Sequence, residues 1–426
     1  MGRILSYLFV GLVASLFFFP FNLPFADGVN TKMILAAIGL ALFFLDKTTQ
    51  RSSFVSKDFL IFCLIAAFIS IWALSSTTIN KTHDYSFASY IISVIVWLAG
   101  AYTVVWLIRA VHGSISIELI GSYLAAVCVG QCLLAYFMTL SPELKSFIDG
   151  LMGDSERFMG KVEGRLYGLG AALDPTGLRF SAALIILAHL ISHTDYSKKA
   201  RGGLLYMLSF MIITVIGNMI ARTTLVGALL AILYFLLMPL WGQKLTNAGA
   251  FWAFTLPILL MGILLCIWLY DVSPKFRSDI RFGFEGFFSL AEKGRWEVHS
   301  NEVLKRMIVW PEALKTWVVG DGFFDNPDDI PNRLGKVKEG FYMMTDVGYL
   351  RYIFYFGTIG LIGMIAIFVQ MTVTCCRKFQ GYVPLFIFLL LVNLIGWLKV
   401  SSDIIMIFAP FLILAYIQDE EAKAQI

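Results

Sequence analysis

Stretches of about 20 nearly uncharged residues, each long enough to cross the hydrocarbon core of a bilayer, return repeatedly along this chain. Twelve can be traced, near residues 3–20, 31–45, 58–75, 88–108, 115–140, 178–193, 203–219, 223–240, 250–270, 347–374, 383–399 and 403–417. Unpaired backbone amides are too costly in hydrocarbon, so runs this long and continuous fold as helices and not as barrel strands. The expected fold class is therefore an all-α integral membrane protein with about 12 transmembrane helices. Composition excludes a soluble domain: 58% of the 426 residues are hydrophobic and 15% are charged, whereas soluble domains carry about 25% charged residues.

The first run starts at Arg3 in the manner of a signal peptide, but "FFFPFNLP" offers no small-x-small cleavage site, so it reads as a retained first span. With a cytoplasmic N-terminus, the cytoplasmic loops hold Lys47, Arg51 and Lys57, then Lys198, Lys199 and Arg201, then Arg377 and Lys378. The outer loops 21–30 and 76–87 hold only Lys81. This asymmetry follows the positive-inside rule and puts both termini in the cytoplasm. A net charge of +4 gives no sign of nucleic-acid binding. All six cysteines lie in or beside spans, none placed for an extracytoplasmic disulfide; Cys128 and Cys132, on one helix face, read as packing residues.

Five regions follow: spans one to five (1–140), a loop (141–177), spans six to nine (178–270), a large loop (271–346), and spans ten to twelve with a tail (347–426). Residues 271–345 contain 11 Lys/Arg and 12 Asp/Glu, which marks a small extracytoplasmic domain, not a linker. Its middle, "SNEVLKRMIVWPEALKTW", predicts two short helices lying over the spans, with Pro311 in the first turn of the second. "GDGFFDNPDD" then predicts turns, where Asp328 and Asp329 read as turn residues, with a hard-cation site as the alternative. The loops after spans five, seven and nine share the outer face, so Arg165, Arg222, Arg306, Asp346 and Arg351 can act together.

Arg222 is the only charged residue between Gly203 and Trp241, a stretch just long enough for two spans and a tight turn. It either snorkels to the boundary or faces a polar cavity as a fixed cation. Arg351 lies on the order of 7 Å beyond Asp346 along a helix, and the two point well apart, so they are no helix-surface ion pair. Thr345 and Asp346 can N-cap that helix, and Tyr349 lies beneath Asp346. Arg306 and Trp310 read as an i,i+4 pair on a surface helix. Arg165 sits in the glycine-rich "GRLYGLGAALDPTG", and His299 is the only histidine of the large loop.

Arginines and a carboxylate at the outer boundary suit an anionic, lipid-linked substrate, because the guanidinium fork matches phosphate oxygens and keeps its charge when partly desolvated. Transfer of a group off a lipid diphosphate needs cations for the departing diphosphate and a base for the acceptor hydroxyl. No DxD pair, HExxH motif or Ser-His-Asp set is visible, and no metal or cofactor is expected.

Over about 160–375 the chain resembles the Wzy-type O-antigen polymerases, which are related to the O-antigen ligases. The resemblance rests on "GRLYGLGAALDPTG", "NMIARTTLVGALLA", "RMIVWPEALKTWVVGDGFF" and "TDVGYLRYIFYFGTIGL", in that order. It implies a GT-C-like glycosyltransferase fold at the bacterial inner membrane, with a periplasmic active site. The implied activity is metal-independent, inverting transfer of a glycan from undecaprenyl diphosphate to the non-reducing end of a lipid-linked repeat unit. Donor and acceptor would both be undecaprenyl-diphosphate-linked oligosaccharides, and a chain-length regulator and a flippase would be partners. By motif, Arg222 and Arg306 would hold the diphosphate, with Arg165 assisting; Arg351 reads as either a second phosphate ligand or a membrane-boundary anchor, with Trp310 and Tyr349 in support. Asp346 would be the base, with His299 the alternative. The ligases carry a histidine near that position, so the aspartate here points to polymerase over ligase. A lipid-linked oligosaccharide flippase stays open as a different class; it is expected to carry charges through the depth of the bundle.

Overall fold

The computed structural model describes residues 2–26, 28–50, 56–153, 165–241, 248–327 and 340–424. Among these residues the protein is helical, with no strand and only isolated bridges. Every one of the twelve apolar runs is a helix. They are α1 (Gly2–Phe18), α2 (Thr31–Gln50), α3 (Lys57–Asn80), α4 (Tyr90–His112) and α5 (Ile117–Leu140), then, after the short α6 (Pro142–Gly150), α7 (Leu173–His193). Next come α8 (Tyr196–Ile212), which runs through a π-turn at Ile213–Gly217 into Asn218–Ile220, α9 (Thr224–Leu237) and α10 (Ala248–Val272). The large loop folds as α11 (Pro274–Gly283), α12 (Glu285–Lys293), α13 (His299–Arg306) and α14 (Leu314–Val318). The chain closes with α15 (Gly348–Lys378), α16 (Val383–Gly396) and α17 (Ile405–Ala424).

Eight of these, α3, α4, α5, α7, α8, α9, α10 and α15, are long and apolar enough to cross a membrane, and α1 and α16 are apolar but shorter. The chain is thus a multi-pass, all-α membrane protein. Its central helix is α7, with 89% of its span buried, against 6% for α10. Lipid is as apolar as leucine, so close packing of small residues replaces the hydrophobic drive between spans. Gly227 of α9 lies against Ser181 of α7, and the serine hydroxyl donates to Thr223 O at 2.9 Å while accepting from Gly227 N at 3.1 Å. A β-carbon on Gly39 of α2 would run into the Ala99 carbonyl of α4.

α15 breaks at Phe356 and Gly357, the latter with φ +70° and no room for a β-carbon beside Val318 O. A break inside a span frees carbonyls that water cannot reach, and each has a donor here. Asp321 N and Gly322 N bond the carbonyls of Phe354 and Tyr355, Ser76 Oγ also bonds that of Tyr355, and Trp72 Nε1 bonds that of Phe356. The "GDG" turn of the large loop is thereby pinned into the bundle.

At one end of the bundle the charges are paired: Lys47 with Glu420 at 2.6 Å, Arg377 with Asp58 at 2.7 Å, Lys378 with Asp419 at 2.6 Å, and Arg109 with Glu421 at 2.5 Å. Tyr102 OH donates to Asp46 there at 2.6 Å. The loop helices and the cavity described next occupy the other end.

Two local expectations change. The helix after Pro311 starts at Leu314, with Ala313 as its N-cap, and Pro311 instead offers its carbonyl to Trp317 Nε1 at 3.0 Å. α7 begins at Leu173, five residues before the predicted start at 178, so the first loop is shorter and Asp174 sits in a helical first turn. Asp328 and Asp329 lie outside the described residues.

Candidate functional site

The π-turn at the end of α8 delivers the chain to an extended Ala221 (φ −149°, ψ 118°), and α9 starts at Thr224. Arg222 is therefore the tip of a turn at the membrane boundary. That turn presses against the first turns of α7, where only glycine fits: a β-carbon on Gly177 would lie 1.9 Å from Thr223 Oγ1. Thr223 Oγ1 donates to Asp174 Oδ1 at 3.1 Å, and Lys399, from the turn after α16, donates to the same oxygen at 2.8 Å. Leu173 holds φ +58°, a left-handed conformation uncommon for a leucine, directly before this aspartate.

From the other side, Asn218 Nδ2 bonds Gly283 O at 2.7 Å and fastens α11 to the end of α8. Phe282 then lies under the Arg222 guanidinium, 4.2 Å from ring centre, with the Arg165 guanidinium 5.5 Å from the same ring. Arg222 also pairs with Glu285 and reaches Ser300 Oγ at 3.3 Å, while Glu285 accepts from His299 N at 3.2 Å. The result is a cavity of about 320 Å³ whose polar walls are Arg165, Asp174, Arg222, His299, Asp346 and Lys399.

Asp346 differs from the other carboxylates. The expected N-cap is absent: α15 begins at Gly348 with Val347 as the capping residue, and Thr345 Oγ1 is buried without a partner. No donor among the described residues bonds the Asp346 carboxylate, which lies one position before the cap with its charge unassigned. Burial pushes its carboxyl up to about 7; Arg351 and Lys399 oppose that rise and Asp174 adds to it. Such a group changes charge near neutral pH, where a general base works best. Burial likewise lowers the Arg222 guanidinium, offset by Glu285 and reinforced by Arg165.

Two further spaces adjoin this cavity. An apolar crevice of about 200 Å³ shares Arg222, Ser300 and Lys399 with it and is walled by Leu225, Val226 and Leu229 of α9 with Phe284, Phe287 and Trp296. It runs toward the outward face of α9, where Leu229, Ile232 and Leu236 are exposed. On the opposite flank, an open polar groove of about 670 Å³ shares His299 with it and includes Arg281, Glu285, Phe288, Glu292 and Glu297.

The structure thus brings together Arg165, Arg222 and Asp346, with His299. It does not bring in the remaining expected residues. Arg351 is enclosed and tied: its guanidinium donates to Asp325 Oδ1 at 2.7 Å, Phe324 O at 3.0 Å and Ser401 Oγ at 2.9 Å, and lies over the rings of Phe324 and Phe341. It ties the large loop to α15 and does not line the cavity. Arg306 is the last residue of α13 and points to the surface, while its neighbours Leu304 and Met307 line the cavity. α13 ends before Trp310, so the i,i+4 pair does not form; Trp310 stacks on Trp317 instead, 6.0 Å between centroids. Tyr349 OH donates to Leu394 O at 2.8 Å and its ring meets Trp397 edge-on, a packing role.

Sequence reasoning missed Lys399, Asp174, Phe282 and Glu285 as site residues. Lys399 carried the signal that had singled out Arg222, a lone cation closing an apolar run, "LIGWLK". The other three carried none, since their roles come from contacts across 49 to 63 residues or more of chain. Among the described residues no group of three or more His, Cys, Asp or Glu could hold a metal ion. Compared with protein-family models, with curated proteins and with solved structures, the chain matches none.

Proposed function

We propose that this protein is a polymerase of O-antigen or a related surface polysaccharide, acting at the periplasmic face of the bacterial inner membrane. The supporting observation is one cavity that holds Arg165 and Arg222 together with an unbonded Asp346 whose carboxyl titrates near 7. In this reading the undecaprenyl chain of the donor lies in the apolar crevice along α9, its diphosphate meets Arg222 and Arg165, and the glycan extends into the polar groove. The Arg222–Glu285 pair opens as the diphosphate takes over the guanidinium.

The chemistry is a single displacement. An acceptor sugar hydroxyl attacks the anomeric carbon from the face opposite the diphosphate, Asp346 accepts the hydroxyl proton, and the C–O bond to phosphorus-bound oxygen breaks with inversion. The electron pair leaves on undecaprenyl diphosphate, where Arg222 and Arg165 offset the charge that develops. Lys399, held by Asp174, adds positive potential to the same space.

A transporter is expected to carry charges through the depth of the membrane. Here the enclosed charges Lys32, Arg179, Arg351 and Asp403 lie toward the cavity's end of the bundle, and Lys47 at the opposite end is paired with Glu420, which favours the enzyme. The test is purified protein with lipid-linked repeat units. A glycan ladder is expected from wild type and not from Asp346→Asn or Arg222→Ala. A ladder undiminished in both variants removes the site, and lipid translocation without a ladder replaces the enzyme with a transporter.

A further inference from the structure

Phe282 has no proton to give or take, yet both cavity arginines lie over its ring, Arg222 at 4.2 Å and Arg165 at 5.5 Å from the centre. The contact matters unequally to the two. Arg222 is also held by Glu285 and by Ser300 Oγ. Arg165 is exposed, and among the described residues its guanidinium has no ion pair and no hydrogen bond, only this ring. An arginine side chain is long and rich in rotamers, and a second cation beside Arg222 is repelled by it. The negative face of the ring is the attraction that opposes both effects.

The ring itself is fixed in place. α11 is capped by Ser273, whose Oγ accepts from Phe276 N at 3.2 Å; Pro274 stands in its first turn, and Phe276 is buried. At the other end Gly283, directly after Phe282, accepts from Asn218 Nδ2 at 2.7 Å through its carbonyl, and a β-carbon there would crowd Asn218 O at 3.1 Å. Phe282 therefore lines the cavity from a helix fastened at both ends. Stacking on a ring uses the flat face of a guanidinium and leaves its N–H edge for oxygen atoms. Each phosphate of a sugar diphosphate lipid has two free oxygens, the number one guanidinium fork can bond, so two linked phosphates suit two forks.

Resting on the reading of this cavity as a diphosphate site, we propose that Phe282 is a positioning residue: it holds Arg165 beside Arg222, and the pair so held makes the cavity select a lipid diphosphate over a lipid monophosphate. Without the ring, Arg165 leaves for solvent and Arg222 remains on its Glu285 and Ser300 contacts. One cation then faces the ligand, and the second phosphate gains nothing from the protein.

The full chain in maltoside micelles is titrated with undecaprenyl diphosphate and undecaprenyl monophosphate, which share a tail and differ by one phosphate, with bound mass by native mass spectrometry as the readout. The parent is expected to prefer the diphosphate about tenfold. Phe282→Leu is expected to weaken diphosphate binding about three- to tenfold and monophosphate binding by less than about twofold, and Phe282→Tyr, which keeps the ring, to recover most of the loss. Arg165→Gln should match Phe282→Leu, and the two together should lose little more than either alone, because one acts through the other. Diphosphate binding within about twofold of the parent in Phe282→Leu overturns the positioning role and leaves the cavity reading standing. Equal affinity of the parent for the two lipids, equal weakening of both by Phe282→Leu, or losses that add in the double variant also overturn it and make Phe282 a packing residue. No diphosphate binding by the parent overturns the cavity reading and the positioning role together. Should Phe282→Leu fail to fold, Phe282→Met, unbranched and able to fill the same space, carries the same expectations.

Discussion

The two ends of the helical bundle handle charge in opposite ways. At one end, Lys47, Arg109, Arg377 and Lys378 each meet a carboxylate, and the cations are consumed in holding helices α2, α3, α4, α15 and α17 in register. At the other, Arg165 and Arg222 share a ring, Arg222 pairs with Glu285, and Asp346 has no donor among the described residues. Both ends put ionisable groups beside apolar spans. The difference is that one closes on itself and the other is left incomplete around a cavity, and incompleteness that the fold tolerates is what a ligand can use.

The largest expected effect tests that contrast at its centre. Asp346→Asn keeps the shape and removes the proposed base, so under the proposed function polymerisation is expected to fall about 10²–10⁴-fold while donor binding stays. Retained turnover in a ladder assay would shift the base to His299 or end the assignment. Arg351→Ala tests the opposite kind of residue on the same side of the protein. It should lower the unfolding midpoint by several degrees, with activity per folded molecule little changed, because its partners are the protein's own. An activity loss beyond the folded fraction would put Arg351 back among substrate ligands.

At the paired end, Lys47→Ala takes a bonded cation from Glu420, and both side chains are nearly enclosed, at 4% and 10% exposure. It should cost about 3 kcal/mol of stability and leave the chemical step alone. A selective loss of turnover would mean the two ends are coupled. A gentler measurement follows the pH dependence of stability. The Asp346 carboxyl is raised in the folded state, so the folded protein holds a proton that the unfolded chain has released between the ordinary carboxylate range, about 4, and about 7. Stability is therefore expected to fall as pH rises through that window, and Asp346→Asn should flatten this contribution in thermal melts at pH 5, 6, 7 and 8. The smallest effect belongs to Arg377→Ala, where the arginine is 57% exposed: within about 1 kcal/mol and catalytically silent.

Some of the site was legible in residue order and some was not. Arg222 announced itself as a lone cation in an apolar stretch, and the count of spans between loops was enough to put Arg165, Arg222 and Asp346 on one face. Arg351 and Arg306 carried the same local signal as Arg222, a basic residue near a membrane boundary, and one is buried in a tie to Asp325 while the other faces outward. Asp174 and Lys399, 225 residues apart, pair only because α7 and the turn after α16 meet.

Apolar run length by itself determined that this chain is helical and built for a membrane, because hydrocarbon leaves the backbone no other way to bond its amides. It also determined where charge is scarce enough to be informative. Only the tertiary structure decided which charges are neutralised and which stay available, since that depends on partners contributed by distant helices and on how closely small residues such as Gly177 and Gly227 let those helices approach.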